Sequence, residues 1–244
     1  MKNLFLFLFL LVVFTSKAQD NRVSGLNSRQ FTKYWKVESE SPDYKVTFQG
    51  DTAEIVSPKG LTLWRKEKMS GKVTIEYDAC VVVESDGDRL SDLNCFWMAS
   101  DPQYPDNLWK REKWRSGIFL NCYSLQLYYL GYGGNHNSTT RFRRYDGDES
   151  GITNPKARPA ILKEYTDAGH LLKPNHWYHI KITNENNRVS YYIDGERLVD
   201  FRDAEPLREG WFGFRTTLSR TRITNFSYEC SSQEATAVPL QWIG

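Results

Sequence analysis

In Trp177-Tyr178-His179-Ile180-Lys181-Ile182-Thr183, Tyr178, Ile180 and Ile182 oppose His179 and Lys181. This is the period of two that puts one face of a β-strand into a core and the other into water. Asn184 to Asn187 reads as a turn, Val189 to Ile193 as a second strand, and Asp194-Gly195 as the dipeptide of a tight hairpin leading into a third strand, Arg197 to Phe201. Gly210 to Arg215 and Arg222 to Glu229 complete a run of short strands separated by turn residues. Such a run marks an antiparallel sandwich or barrel.

Working back towards the N-terminus, the same grammar continues. Tyr34 to Glu38 reads as a strand, Tyr44 to Gln49 and Thr52 to Ser57 flank the turn Gly50-Asp51, and Leu61 to Arg65 is a further short strand. Lys72 to Val83 alternates Val73, Ile75, Tyr77 and Ala79 with polar neighbours. Leu93 to Ala99 has the unbroken apolar character of a buried strand. Residues 100–116 and 146–157 read as loops, while Ile118 to Asn121, Leu125 to Leu130 and Thr139 to Tyr145 read as strands, the last two joined by the glycine- and asparagine-rich turn Gly131 to Ser138. No long helix or repeat interrupts the pattern. The expectation is one all-β domain, a two-sheet antiparallel jelly-roll sandwich over residues 31–230, with an arm at 19–30 and a tail at 231–244.

Residues 1–18 have another character. A basic start, Met1-Lys2-Asn3, precedes the apolar run Leu4 to Phe14 and the small residues before Gln19. This is the pattern of a signal peptide cleaved after Ala18, and the run is too short for a membrane span of about 20 residues. The expected location is periplasmic or secreted, without membrane insertion. Loss of Lys2 and Lys17 takes the formal charge from +2 to 0, which removes any general attraction for nucleic acid. A monomer is expected. Cys80, Cys95, Cys122 and Cys230 lack the close spacing of a zinc site, and both disulfides and buried thiols remain open for them. Aromatic residues make up 14% of the chain; they suit either sugar stacking or the filling of a wide core.

Four segments together resemble the C-terminal strands of concanavalin-like lectin and glucanase jelly rolls: His176-Trp177-Tyr178, Val189 to Gly195, Gly210-Trp211-Phe212-Gly213-Phe214-Arg215, and Ile223-Thr224-Asn225-Phe226. In that superfamily a YxDG hairpin and a closing GxxGFR…NF pair recur. The segment Tyr128 to Gly147 also resembles secreted bacterial proteins of unassigned function linked to polysaccharide degradation. The resemblance implies a polysaccharide or oligosaccharide partner, bound on the concave face of one sheet, and no required cofactor. It also implies that a structural calcium is common, for which Glu84-Ser85-Asp86-Gly87-Asp88 offers oxygen ligands.

Chemistry concentrates around Tyr128 to Tyr145. Tyr129, Tyr132, His136 and Arg143 are the candidate catalytic residues, and Asn135, Arg141, Tyr145, Trp109, Trp114 and His170 the candidate substrate contacts. Arginine grips carboxylates in bidentate fashion, and tyrosine and histidine serve as acid and base when a carbon-bound proton is lost. This is the equipment of a β-eliminating lyase acting on a uronate-containing polysaccharide. A solvated strand whose arginines pair with Asp146, Asp148 and Glu149 is the bland alternative, and a one-residue slip would exchange which tyrosine faces the groove.

Two other functions compete. A retaining glycoside hydrolase needs two carboxylates about 5 to 5.5 Å apart. The jelly-roll hydrolase motif ExDxxE is approached by Glu76 and Asp78, but Val81 stands where its third acid belongs; Glu164 with Asp167 and Asp92 with Asp78 are weaker pairs. A non-catalytic lectin-like module would instead use Trp64, Trp109 and Trp114 as stacking platforms. His176 and His179 flank Trp177 at the start of a strand and are expected to be structural.

Overall fold

The computed structural model describes residues 22–231; the leader assigned to residues 1–18 and the tail beyond Ser231 lie outside the described residues. Fourteen strands follow in chain order: β1 (Val23–Ser24), β2 (Trp35–Ser39), β3 (Lys45–Gln49), β4 (Thr52–Arg65), β5 (Met69–Ser70), β6 (Lys72–Val81) and β7 (Leu93–Ser100). Then come β8 (Gln126–Gly133), β9 (Thr139–Asp146), β10 (Lys163–Tyr165), β11 (Trp177–Glu185), β12 (Arg188–Ile193), β13 (Glu196–Arg202) and β14 (Glu209–Ser231).

They form the two-sheet antiparallel jelly roll. The front sheet runs β10-β9-β8-β7-β14-β4-β2, using the first half of β14 and the second half of β4. The back sheet runs β3-β4-β14-β6-β11-β12-β13, using the other halves of the same two strands. β4 and β14 therefore belong to both layers. Each was expected as two separate strands. Pro58-Lys59-Gly60 and Leu218 bend them without ending them: the pairing of β14 with β4 resumes after a register shift between Thr217 and Ser219, and Leu218 takes a left-handed φ of 49°.

The inner faces of both sheets bury Trp35, Tyr77, Trp97, Tyr128, Phe142, Tyr191 and Phe212 in one core. A second cluster lies on the outer face of the front sheet, where Trp64, Phe96, Tyr129, Tyr145 and Trp211 pack beneath residues of the 101–125 connection, among them Leu108 and Tyr123. Ile118 to Asn121 thus form part of a lid and not the expected strand. Ser116 and Gly117 have left-handed φ of 49° and 71°, which breaks extended structure, and the apolar side chains that follow close onto the sheet in the 3-10 turn Leu120–Ser124. The lid is pinned by the buried Arg115, which donates to Glu38 at 3.0 Å and to the Leu108 carbonyl at 2.7 Å.

The four cysteines are free thiols distributed over separate strands and the lid. Among the described residues no helix is long and apolar enough to cross a membrane.

Candidate functional site

The lid leaves part of the front sheet's outer face uncovered, and there a cavity of about 540 Å³ opens. Its floor is set by register. Arg141 on β9 stands opposite Gly131 on β8, Gly131 opposite Asn94 on β7, Asn94 opposite Arg215 on β14, and Arg215 opposite Thr62 on β4. One pleat along, Arg143 stands opposite Tyr129, and Tyr129 opposite Phe96. Residues in register or two apart share a face, so these side chains project together. Ile118, Phe119 and Tyr123 of the lid form one wall.

Tyr129 is the pivot of the floor. Its ring is held by Phe96, Phe119 and Tyr145, with centroids 5.5 to 5.8 Å apart. Its hydroxyl folds over Gly131 and occupies the space that a β-carbon there would need. Among the described residues the Tyr129 hydroxyl has no hydrogen-bond partner. Burial, reinforced by the negative Asp92, pushes its pKa upward, so the phenol keeps its proton.

Four arginines line the cavity. Arg141 pairs with Glu164 at 2.5 Å and Arg89 with Asp92 at 3.2 Å. Arg143 and Arg215 have no carboxylate within ion-pair distance among the described residues. Arg143 donates to the Pro159 carbonyl. Arg215, 3% exposed, donates to the Gly117 carbonyl at 2.5 Å and to Thr62 Oγ1 at 3.4 Å. The bland alternative for the arginines therefore holds in altered form for Arg144, which binds Asp146 and Asp203, and for Arg141, which binds a different acid. It does not describe Arg143.

His136 enters the cavity from an unusual turn. Asn135, His136 and Asn137 take successive φ values of 52°, 59° and 59°. A left-handed run costs roughly 1 to 2 kcal/mol per non-glycine residue, and such strain gathers at functional sites. Asparagine tolerates it best. The turn is clamped: Asn137 Nδ2 donates to the Leu172 carbonyl at 2.9 Å, and its Oδ1 accepts from the Leu172 amide at 2.8 Å. Asn135 Nδ2 donates to Thr139 Oγ1 at 3.2 Å.

Tyr129, Asn135, His136, Arg141 and Arg143 are thus brought together. Other candidates are placed elsewhere. Tyr132, three residues from Tyr129, points to the opposite face, where it lies in the inner core, stacks edge-on with Tyr178 and donates to the Leu171 carbonyl at 3.3 Å. Tyr145 is fully buried beneath the lid. Trp64 is fully buried as well, so it is no exposed platform. Trp109 packs edge-on to Trp211, and Trp114, although 44% exposed, carries Arg111 over its ring outside the cavity. His170 lines a smaller hollow at the sandwich edge, stacked on Tyr165 and bound to Asp167 at 2.8 Å.

The hydrolase-like carboxylates lie away from this cavity. Glu76 and Asp78 lie on the outer face of the back sheet, where Lys181 and His179 hold them. The Glu84–Asp88 turn does not fit a calcium ion either. Asp88 accepts the backbone amides of Glu84 and Ser85, and Glu84 is shared by Arg220 and Arg222. Among the described residues no group of three metal-ligating side chains occurs.

Arg215 and Asn94 were not singled out in the sequence. Arg215 sits within the Gly-Phe-Arg signature that reads as fold, and Asn94 within an apolar strand. The one signal available was period: each shares the face of its strand that the register sets beside Gly131.

A family model described as a domain of unknown function (DUF6250) matches residues 55–226. Among solved structures, a Bacillus subtilis protein of unknown function with a galectin-like fold is 16% identical, with a TM-score of 0.68 over 87% of this chain and 96% of its own. The VIP36 exoplasmic/lumenal domain, in its Ca2+/Man3GlcNAc-bound form, is 8% identical, with a TM-score of 0.56 over 89% and 91%. The carbohydrate-binding module CBM66 from Bacillus subtilis is 16% identical, with a TM-score of 0.53 over 80% and 94%. These likenesses establish the concanavalin-like and galectin-like fold. None of the curated proteins matches the chain.

Proposed function

The chain belongs to the DUF6250 family, and from its cavity we propose that it is a secreted or periplasmic monomer that binds an acidic, uronate-containing polysaccharide and cleaves it by β-elimination. The observation that carries this reading is the pair of guanidiniums without an ion-pair partner, Arg143 and Arg215, flanking a tyrosine hydroxyl that holds its proton, with His136 at the rim of the same cavity.

The roles follow from the chemistry. Arg143 binds the uronate carboxylate and lowers the pKa of the adjacent C–H. His136 takes that proton, the C–H electrons become the new C=C bond, and the glycosidic C–O bond on the neighbouring carbon breaks. Tyr129 donates its proton to the leaving oxygen. Its upward-shifted pKa keeps the phenol protonated and disfavours Tyr129 as the base. Arg141 and Asn135 contact the sugar. No cofactor enters the scheme.

A binding-only role has specific support in the fold neighbours, which include a carbohydrate-binding module and a Man3GlcNAc-bound domain. One assay separates the readings. Incubation with uronate polysaccharides is expected to raise the ultraviolet absorbance of unsaturated uronate. New reducing ends without that absorbance would transfer the reaction to hydrolysis by Glu40 and Asp92, the carboxylates lining the cavity. Retention on a glycan column with no product would leave a lectin-like protein.

A further inference from the structure

The two guanidiniums that lack an ion-pair partner cannot serve one carboxylate. Arg143 is on β9 and Arg215 on β14, with β8 and β7 between them. Three strand spacings amount to about 14 Å. Both side chains are tethered away from each other. Arg143 donates to Pro159, in the segment leading into β10, on the far side of β9 from β8. Arg215 donates to Thr62 on β4, on the far side of β14 from β7. The Tyr129 hydroxyl and Gly131 lie between them.

On the neighbouring strand β7 a second unsatisfied group belongs to a cavity-lining residue. Asn94 is 6% exposed and lines the cavity, and its Oδ1 is buried without a hydrogen-bond partner among the described residues. Its Nδ2 is fixed by Asp92 Oδ1 at 3.2 Å, which leaves Oδ1 as an oriented acceptor. A buried acceptor left unmatched is costly.

We infer that the cavity takes two acidic sugars of one chain: Arg143 holds the carboxylate on the β9 side of Tyr129, and Arg215 holds a second on the β14 side. A pyranose ring spans roughly one strand spacing, so about two or three sugars lie between the guanidiniums. The substrate class is then a polyuronate with carboxylates on both sides of the cleaved bond, as opposed to a glycan whose acids are isolated among neutral sugars. This rests on the acidic-glycan reading above.

Calorimetry on Tyr129→Phe protein, which keeps the ligand intact, tests it with monomeric and trimeric uronate and with trimers in which one terminal carboxyl is reduced to an alcohol. The fully charged trimer is expected to bind at least about tenfold more tightly than the monomer, and each carboxyl removed to cost about tenfold. Arg215→Met should lower trimer affinity about tenfold and remove the penalty for reducing one of the two ends. Equal affinity for monomer and trimer, or indifference to both reductions, overturns the inference while leaving a single-uronate site. No binding by a uronate of any length overturns the acidic-glycan reading itself. The ligand series decides even if Arg215→Met does not fold.

Discussion

Tyr129 and Tyr132 are three positions apart on one strand, and an odd separation sends them to opposite faces. Their substitutions should differ accordingly. Tyr129→Phe removes a proton donor and is expected to lower turnover by roughly 10²- to 10⁴-fold with little change in melting temperature. Tyr132→Phe removes one hydrogen bond in the core and should lower stability by about 1 kcal/mol while preserving turnover. The reverse pattern, read by product absorbance and thermal melts, would refute the orientation of β8. Gly131 gives a second test. An alanine β-carbon there needs the space of the Tyr129 hydroxyl, and Gly131 has no left-handed φ to be strained. Gly131→Ala should therefore yield a folded protein with a displaced Tyr129 and turnover reduced as far as in Tyr129→Phe.

Among the elements, the turn after β8 was legible in the sequence because Gly133, Asn135 and Asn137 are residues that accept left-handed backbone. Its purpose was not, since the clamp to Leu172 joins residues 35 apart. Asn137→Ala loses both clamp bonds and is expected to cost roughly 1 to 3 kcal/mol. It should also depress turnover, because His136 is no longer held. The lid was misread for a related reason: a short apolar run such as Ile118 to Leu120 has the same composition whether it enters a sheet or covers one. The β13–β14 connection is fastened at Asp203, which accepts from Tyr128 at 2.6 Å, Arg144 at 2.8 Å and the Glu205 amide at 2.9 Å. Burial opposes ionisation of this carboxyl, but those donors outweigh it and hold its pKa below the usual aspartate range. Its stabilisation is thus complete above the unfolded value of about 3.9 and is lost as the pH falls through the lower folded value. Asp203→Asn should destabilise the protein by roughly 3 kcal/mol at neutral pH, and the gap to wild type should narrow by pH 2 in denaturant melts. A gap constant with pH would remove Asp203 from the acid response.

For the whole molecule, alternation revealed the class of fold, because Val73, Ile75, Tyr178 and Ile180 face one core with the period of a strand. It could not reveal that β4 and β14 each serve two sheets, since Pro58 and Gly60 carry the local signature of a strand end. The cysteines were open between bridges and thiols, and the fold keeps them apart. Burial pushes Cys95 and Cys122 up to about 12, which leaves almost no thiolate at neutral pH. Native protein is expected to leave both unmodified by iodoacetamide, and denatured, unreduced protein to take up four labels by mass spectrometry. Fewer labels would mean a bridge.

β14 pairs with β1, β4, β5, β6 and β7, and its partners begin as far away as Val23, which meets Tyr228. Neither sheet can close until β14, which begins at Glu209, is available. Synthesis runs from the N-terminus, so β4, β6 and β7 are made with one edge exposed before β14 arrives. Contacts of such long sequence separation also make folding slow, in the range of milliseconds to seconds or longer. A version ending at Arg208 should show no cooperative unfolding transition.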